Sequence, residues 1–208
     1  MPRRGVPLVV SAPSGCGKTT ICQKLLERTQ GIEFSISHTT RKPRGSERNG
    51  NEYHFISNDE FTQMVKASMF LEWAKVHDNY YGTSRSQAES RLNIGIDVLF
   101  DIDVQGGKQL HSCLADVVLV FILPPNLLTL SQRLHNRGTD DEAVIQRRLA
   151  VAKQEIEQAS FYNYWIINDH LEDAVRDLEA ILFAERLRCV DKQAFRQQML
   201  GNINHVDR

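Results

Sequence analysis

Apolar positions along the chain follow two patterns, short unbroken runs and stripes at helical spacing. Residues 8–10 form an unbroken run that reads as a buried strand, and residues 21–28 carry apolar side chains at helical spacing. Residues 34–37 are a short strand candidate. Residues 38–52 are polar, turn-rich and locally basic, and residues 53–56 then alternate like a strand. Ser57 and Glu60 have capping-box spacing, opening a helix over Phe61, Met64 and Val65. Residues 70–76 and 80–83 read as further short strands. A helix follows over 84–93, closed by Gly95 at the C′ position. Residues 96–103 and 117–123 are largely apolar, as buried parallel strands are, and a short helix separates them. Residues 127–137 are helical, Gly138 breaks the pattern, and Thr139 with Glu142 caps a long charged helix to about 160. Residues 165–167 give a last strand. A final helix over 171–190 carries Leu171, Val175, Leu178, Leu182 and Phe183 on one side, and a polar tail follows. Strands alternating with helices predict an α/β fold, a doubly wound parallel sheet flanked by helices. Residues 37 to about 84, with closely spaced half-polar strands, read as a small mixed α/β subdomain inserted into it. Trp73 and Trp165 lie in strand candidates and read as core.

The turn between the first strand and helix is Ala12-Pro-Ser-Gly-Cys-Gly-Lys-Thr-Thr20, a phosphate-binding loop with Ala12 in place of the first glycine. Backbone N–H groups of such a loop converge on phosphate oxygens, and the helix adds the positive end of its dipole. A methyl at Ala12 is harmless wherever φ is negative. Lys18 would reach the β- and γ-phosphates and Thr19 would offer its hydroxyl to Mg²⁺, so the loop points to a nucleoside triphosphate site. Asp101, ending a buried strand, stands where a Mg²⁺-coordinating carboxylate belongs, or else caps the next helix. Asp103 is placed on the same face of that strand by the two-residue repeat. Arg41 and Arg44, with Tyr53 nearby, suit bidentate phosphate recognition, against the plainer reading of a solvated basic loop. Arg133 and Arg137 share a helix face, and at most one of Arg147 and Arg148 joins them. The break at Gly138 suits a hinged lid that carries arginines to a transferring phosphoryl group. Cys16, just before a helix N-terminus, is either a thiol of lowered pKa, which ATP would protect from thiol reagents, or an inert small residue.

The chain has 208 residues, 41% hydrophobic and 25% charged, with a formal net charge of −1. That composition is globular, and the balance leaves no overall field to recruit nucleic acid or an anionic membrane. No apolar run has the length of a signal h-region or a membrane span. The four cysteines, at 16, 22, 113 and 189, lack C-x-x-C spacing, and the seven histidines form no metal-ligand spacing. A cytoplasmic protein with free thiols is expected. Oligomeric state is not set by any of these features.

Several separated blocks resemble the guanylate kinase family: residues 37–44 (SHTTRKPR), 70–73 (FLEW), 79–83 (NYYGT), 101–106 (DIDVQG) and 133–139 (RLHNRGT). They occur in the family's order and spacing over about residues 6–186. The resemblance implies a P-loop kinase core (6–36, 92–127, 161–190), an inserted GMP-binding subdomain (37–91), a helical lid (128–160) and a polar tail (191–208). It implies that Ser37, Arg41, Arg44, Tyr53 and Tyr81 hold the GMP phosphate, and that Glu72, Thr83 and Asp103 read guanine. On the ATP side it implies Ala12, Pro13, Ser14, Gly15, Cys16, Gly17, Lys18, Thr19 and Thr20, with Asn168 near the adenine. Arg41, Arg133, Arg137 and Arg148 would surround the transferring group with Lys18, and Thr19 with Asp101 would hold Mg²⁺. The implied reaction is ATP-dependent phosphorylation of GMP, with dGMP as a second acceptor. A non-catalytic nucleotide- or peptide-binding module on the same fold is the alternative. The presence of Lys18, Thr19 and Asp101 argues against it. The two departures from the family pattern, Ala12 and Thr83 (some members have Ser there), keep the chemistry possible.

Overall fold

A computed structural model describes residues 3–76, 78–136, 141–188 and 192–201. Two sheets are present among the described residues. The larger has five parallel strands in the order β2-β7-β1-β8-β9. These are β1 (Pro7–Ser11), β2 (Ile32–Phe34), β7 (Asp97–Asp101), β8 (Val118–Leu123) and β9 (Tyr164–Ile167). Side chains alternate across it, so each strand feeds two separate cores. Leu8, Val10, Leu99, Val118, Val120 and Ile122 pack against α1 (Lys18–Arg28), α5 (Leu127–His135), α6 (Glu142–Gln158) and α7 (Leu171–Arg188). Val9, Val98, Phe100, Leu119 and Phe121 face α3 (Arg85–Asn93) and α4 (Val104–Cys113). Burial on both faces is why β8 reads as an uninterrupted apolar run. Each of these fully buried side chains contributes roughly 1.5–3 kcal/mol of transfer free energy.

A carboxylate without any exposure is fixed inside this fold by several partners. Asp97 is fully buried at the start of β7 and meets Arg3 at 2.5 Å, Arg186 at 2.6 Å and the Val6 N–H at 2.8 Å. It ties the N-terminal segment and α7 to the sheet.

The smaller sheet has the order β4-β3-β6-β5, with β3 (His38–Thr39), β4 (His54–Phe55), β5 (Phe70–Val76) and β6 (Asn79–Ser84). Helix α2 (Asn58–Lys66) begins with the expected capping box, and its buried Phe61 stacks on Phe70 and Tyr80 at centroid distances of 4.6 and 5.3 Å. The expected helix over 84–93 is α3, with Ser84 as N-cap and Gly95 at φ 85 beyond its end.

The structure departs from the sequence reading at several places. β2 lies two residues earlier than expected, because Ile32 is the residue that faces the core. β3 falls within the stretch read as featureless, since a two-residue strand has no visible alternation. Asp141, not Thr139, caps α6, its side chain accepting the Val144 N–H at 2.8 Å. Gly138 and Thr139 lie outside the described residues. Trp73 and Trp165 are 40% and 52% exposed, so neither is core. The polar C-terminal segment holds a helix, α8 (Lys192–Gly201). Among the described residues no helix is long and apolar enough to cross a membrane.

Candidate active site

β1 delivers the chain into a tight loop at the C-terminal end of the parallel sheet, the ligand-binding edge of such folds. Gly15 at φ 95 and Gly17 at φ 85 make the turn, and Gly17 is the left-handed residue from which α1 starts. A methyl at Gly17 would stand 2.6 Å from the Asn168 amide nitrogen. That amide, buried after β9, donates to the Cys16 carbonyl at 2.7 Å. Asn168 thus props the loop as well as lining a cavity of about 260 Å³ with Gly15, Gly17, Thr20, Arg133, Asp169 and Leu171. Ala12 does not have positive φ, so its methyl is accommodated. Pro13 is buried and its carbonyl accepts the Cys16 N–H, while Ser14, Thr19 and Thr20 are exposed.

Cys16 overturns the reactive-thiol expectation. It is 1% exposed, and burial pushes its thiol up to about 12, outweighing the nearby Arg133 and Lys18 charges. Desolvation defeats the helix terminus because the sulfur points into the core and not at the phosphate side of the loop.

Lys18 Nζ reaches across to Asp101 at 2.5 Å and to the Ile102 carbonyl at 3.3 Å. This joins the loop lysine to the strand-end carboxylate. Asp103 is not on the strand: β7 ends at Asp101, and Asp103 is the N-cap of α4, accepting the Gly106 N–H at 2.8 Å. The capping role considered for Asp101 therefore belongs to its neighbour. Glu155 of α6 was not singled out by the sequence, yet it is half-buried with Asp103 and Lys18 in electrostatic range, and burial raises its pKa.

Glu72 is a buried charge in the site. It sits on β5, 6% exposed, and takes a 2.5 Å hydrogen bond from the Thr83 hydroxyl on β6. Desolvation raises its pKa to about 7, Thr83 lowers it, and Asp103 adds repulsion. Gly106 makes the room, since a methyl there would lie 3.2 Å from the Glu72 carboxylate. The three residues implied for base reading are therefore neighbours. Gln109 of α4 fixes the adjacent backbone, accepting the Trp73 N–H at 3.1 Å and donating to the Trp73 carbonyl at 3.0 Å.

The smaller sheet also gathers Arg41, Tyr53 and Tyr81. The Arg41 guanidinium lies 5.3 Å from the Tyr53 ring centroid, and the two tyrosine rings meet edge-on at 5.8 Å. The pKa of Tyr53 is raised chiefly by burial, with the Tyr81 hydroxyl adding to the rise and the Arg41 charge opposing it. Arg44 is exposed, and Ser37 is half-buried with its carbonyl taken by the His54 N–H. Glu47, unnoticed in the sequence, accepts from both Arg41 terminal nitrogens at 2.9 Å.

Three arginines line cavities beside the loop. Arg133 donates to the Asn168 carbonyl at 2.9 Å, on the cavity side already described. Arg147 and Arg148 both line a second cavity of about 280 Å³ with Ser14, Val144, Val151 and Glu155, apart from the cavity that Arg133 lines. Arg137 lies outside the described residues.

A loop of phosphate-binding sequence opening a parallel sheet, a lysine paired with a strand-end carboxylate and a second cluster of arginine and tyrosines on the smaller sheet together have the form of a phosphotransferase of the P-loop kinase class. Comparison with known proteins narrows this. The guanylate kinase family profile matches residues 4–185. The guanylate kinase of Agrobacterium fabrum is 50% identical over 187 residues, covering 89% of this chain and 85% of that protein. That of Pseudoalteromonas translucida is 44% identical over 199 residues, 96% of each chain. The crystal structure of guanylate kinase from Anaplasma phagocytophilum superposes with a TM-score of 0.74 at 32% identity, covering 94% of this chain and 95% of that one. The chain belongs to the guanylate kinase family and is a nucleotide-binding kinase.

Proposed function

We propose that the enzyme transfers the γ-phosphoryl group of ATP to GMP, and to dGMP, giving ADP and the nucleoside diphosphate as a step of purine nucleotide metabolism in the cytoplasm. The observation that carries the choice of acceptor is the buried Glu72–Thr83 pair beside Asp103. Guanine presents two adjacent donors, N1–H and N2–H₂, and an ionised carboxylate accepts both. Adenine would set its N1 lone pair against that carboxylate. ATP is assigned to the loop side on the strength of Lys18 and the cavity bounded by Arg133 and Asn168.

The acceptor phosphate has a second pKa of about 6 and is largely dianionic at pH 7, so its oxygen attacks in line without a general base. Catalysis then rests on placement and on cations around the equatorial oxygens. Lys18 must leave Asp101 to meet the β- and γ-phosphates, and Arg41, Arg133, Arg148 and Arg137 are assigned to the same charge. Thr19 and Asp101 fit Mg²⁺: a hydroxyl and one carboxylate are an all-oxygen set of the kind Mg²⁺ takes together with substrate phosphates and water. When bound, the ion neutralises developing phosphate charge. The domain assignment is a core (6–36, 92–127, 161–190), a GMP-binding unit (37–91) and a lid (128–160) whose closure excludes water. ADP release from Mg·ATP, measured with GMP, dGMP, AMP, UMP or no acceptor, tests this. Release with GMP and dGMP alone is expected, and equal release without acceptor would sink it.

A further inference from the structure

The one carboxylate in the acceptor anion cage belongs to Glu47, and its bonding pattern is specific. Oε1 accepts from Nη2 of Arg41 at 2.9 Å, and Oε2 accepts from Nη1 of Arg41 at 2.9 Å and from the Arg44 N–H at 2.7 Å. Nη1 spends its other hydrogen on the Lys42 carbonyl at 2.9 Å. A guanidinium has five N–H donors in a fixed plane. Glu47 therefore occupies the end-on fork, and the remaining pair is the side-on edge, Nε–H with the outer Nη2–H. Among the described residues no carboxylate or carbonyl meets that edge, and the other side-chain neighbour of Arg41 is the Tyr81 hydroxyl, itself a member of the cage. The Arg41 side chain is only 10% exposed and packs near the rings of Tyr53 and Phe55, 5.3 and 5.8 Å away, so it cannot turn freely to present another edge.

We propose that Glu47 is a positioning residue for the acceptor phosphate, holding Arg41 by its end-on fork and the Arg44 backbone by its N–H so that the side-on edge of Arg41 is presented to a phosphate dianion. The proposal rests on the assignment of this cage to the GMP phosphate. An acid in an anion site is otherwise hard to justify, because it repels the ligand. Its benefit is that a long arginine is ordered before the phosphate arrives, which removes an ordering cost from binding. The Glu47 carboxyl is held below its ordinary range chiefly by Arg41, then by the Arg44 N–H, so it stays ionised at neutral pH.

The test uses Glu47→Gln and Glu47→Ala in the full chain. The glutamine variant keeps the shape but turns an N–H₂ toward donors. Steady-state KM and kcat for GMP are measured beside the inhibition constant of guanosine, which lacks the phosphate. The KM for GMP should rise about tenfold or more, the loss expected for one charge-assisted hydrogen bond. Inhibition by guanosine and the KM for ATP should be unchanged, and the effect of Glu47→Gln should largely vanish in an Arg41→Lys background. Tighter GMP binding in the variants would show that Glu47 merely fills the site, and overturn the idea. Equal losses for GMP and guanosine, or none, would overturn it too. Failure of the wild-type enzyme to use GMP would instead strike the functional assignment beneath it.

Discussion

Replacing Glu72 by Gln should make the protein more stable and a worse GMP kinase at once. Burial holds the Glu72 carboxyl near pKa 7, against 4.5 for an ordinary glutamate. The folded state therefore keeps a proton that the unfolded chain loses between those two values. Stability attributable to this residue falls as pH rises through that window and stays low above it. The full cost of ionising the folded group is about 3 kcal/mol. Glutamine is neutral at every pH and can still accept the Thr83 hydroxyl. At pH 8 the variant should melt up to about 6–12 °C higher than wild type, with the gap closing toward pH 5. Activity should move the other way. A carboxylate that must be ionised to accept two guanine N–H groups is worth about 2 kcal/mol or more when removed, roughly a thirtyfold loss in kcat/KM for GMP. Selectivity against AMP should fall with it, while the KM for ATP stays nearly constant. The wild-type kcat/KM for GMP should also decline below pH 7 with an inflection that the variant lacks. Differential scanning calorimetry at pH 5 and 8, with coupled assays for GMP and AMP, reads both effects. Melting points that differ equally at the two pH values would refute the argument that ionisation of Glu72 is costly, and unchanged kcat/KM would move guanine reading to Thr83 and Asp103.

Lys18→Ala should keep the fold and lose activity by about two to three orders of magnitude, read by ADP release beside an unchanged circular dichroism spectrum. Near-normal turnover would remove the loop from the reaction. Iodoacetamide on the native protein should label Cys113, which is exposed, and spare Cys16 and Cys22, whose buried thiols are both pushed up to about 12. Peptide mass spectrometry showing Cys16 labelled first would contradict the burial argument. Asp97→Ala should cost about 3 kcal/mol or more in a urea titration, since Arg3, Arg186 and the Val6 N–H would lose their shared partner. A loss below 1 kcal/mol would show that the cluster is not structural.

The parallel core was legible because its strands are buried on both faces and its helices carry apolar stripes. Residues 118–123 are apolar at every position, and periodicity needs nothing more. The phosphate loop was legible for a different reason: its chemistry is local, compressed into one turn. What escaped the sequence is what depends on where a side chain ends up. Cys16 looked activated from its position beside α1, but its sulfur turns inward, and no local pattern reports that. Asp103 followed strand spacing only if the strand continued, and β7 stops two residues short. Glu47 was hidden among charges of the basic stretch, although its place three residues after Arg44 and six after Arg41 allows a turn to bring them together. Gln109 is thirty-six residues from Trp73, and only the tertiary fold pairs them.

That last pair bears on the outer edge of the smaller sheet. Among the described residues β5 ends the smaller sheet, hydrogen-bonded to β6 on one side and to no strand on the other. An open strand edge is a template for another chain, and this one also shows Trp73 and Val76 at 40% and 42% exposure. Gln109 meets the edge there with both halves of its amide, donating and accepting as a neighbouring strand would. One side chain thus stands in for an absent strand and occupies a backbone site where edge-to-edge aggregation would begin.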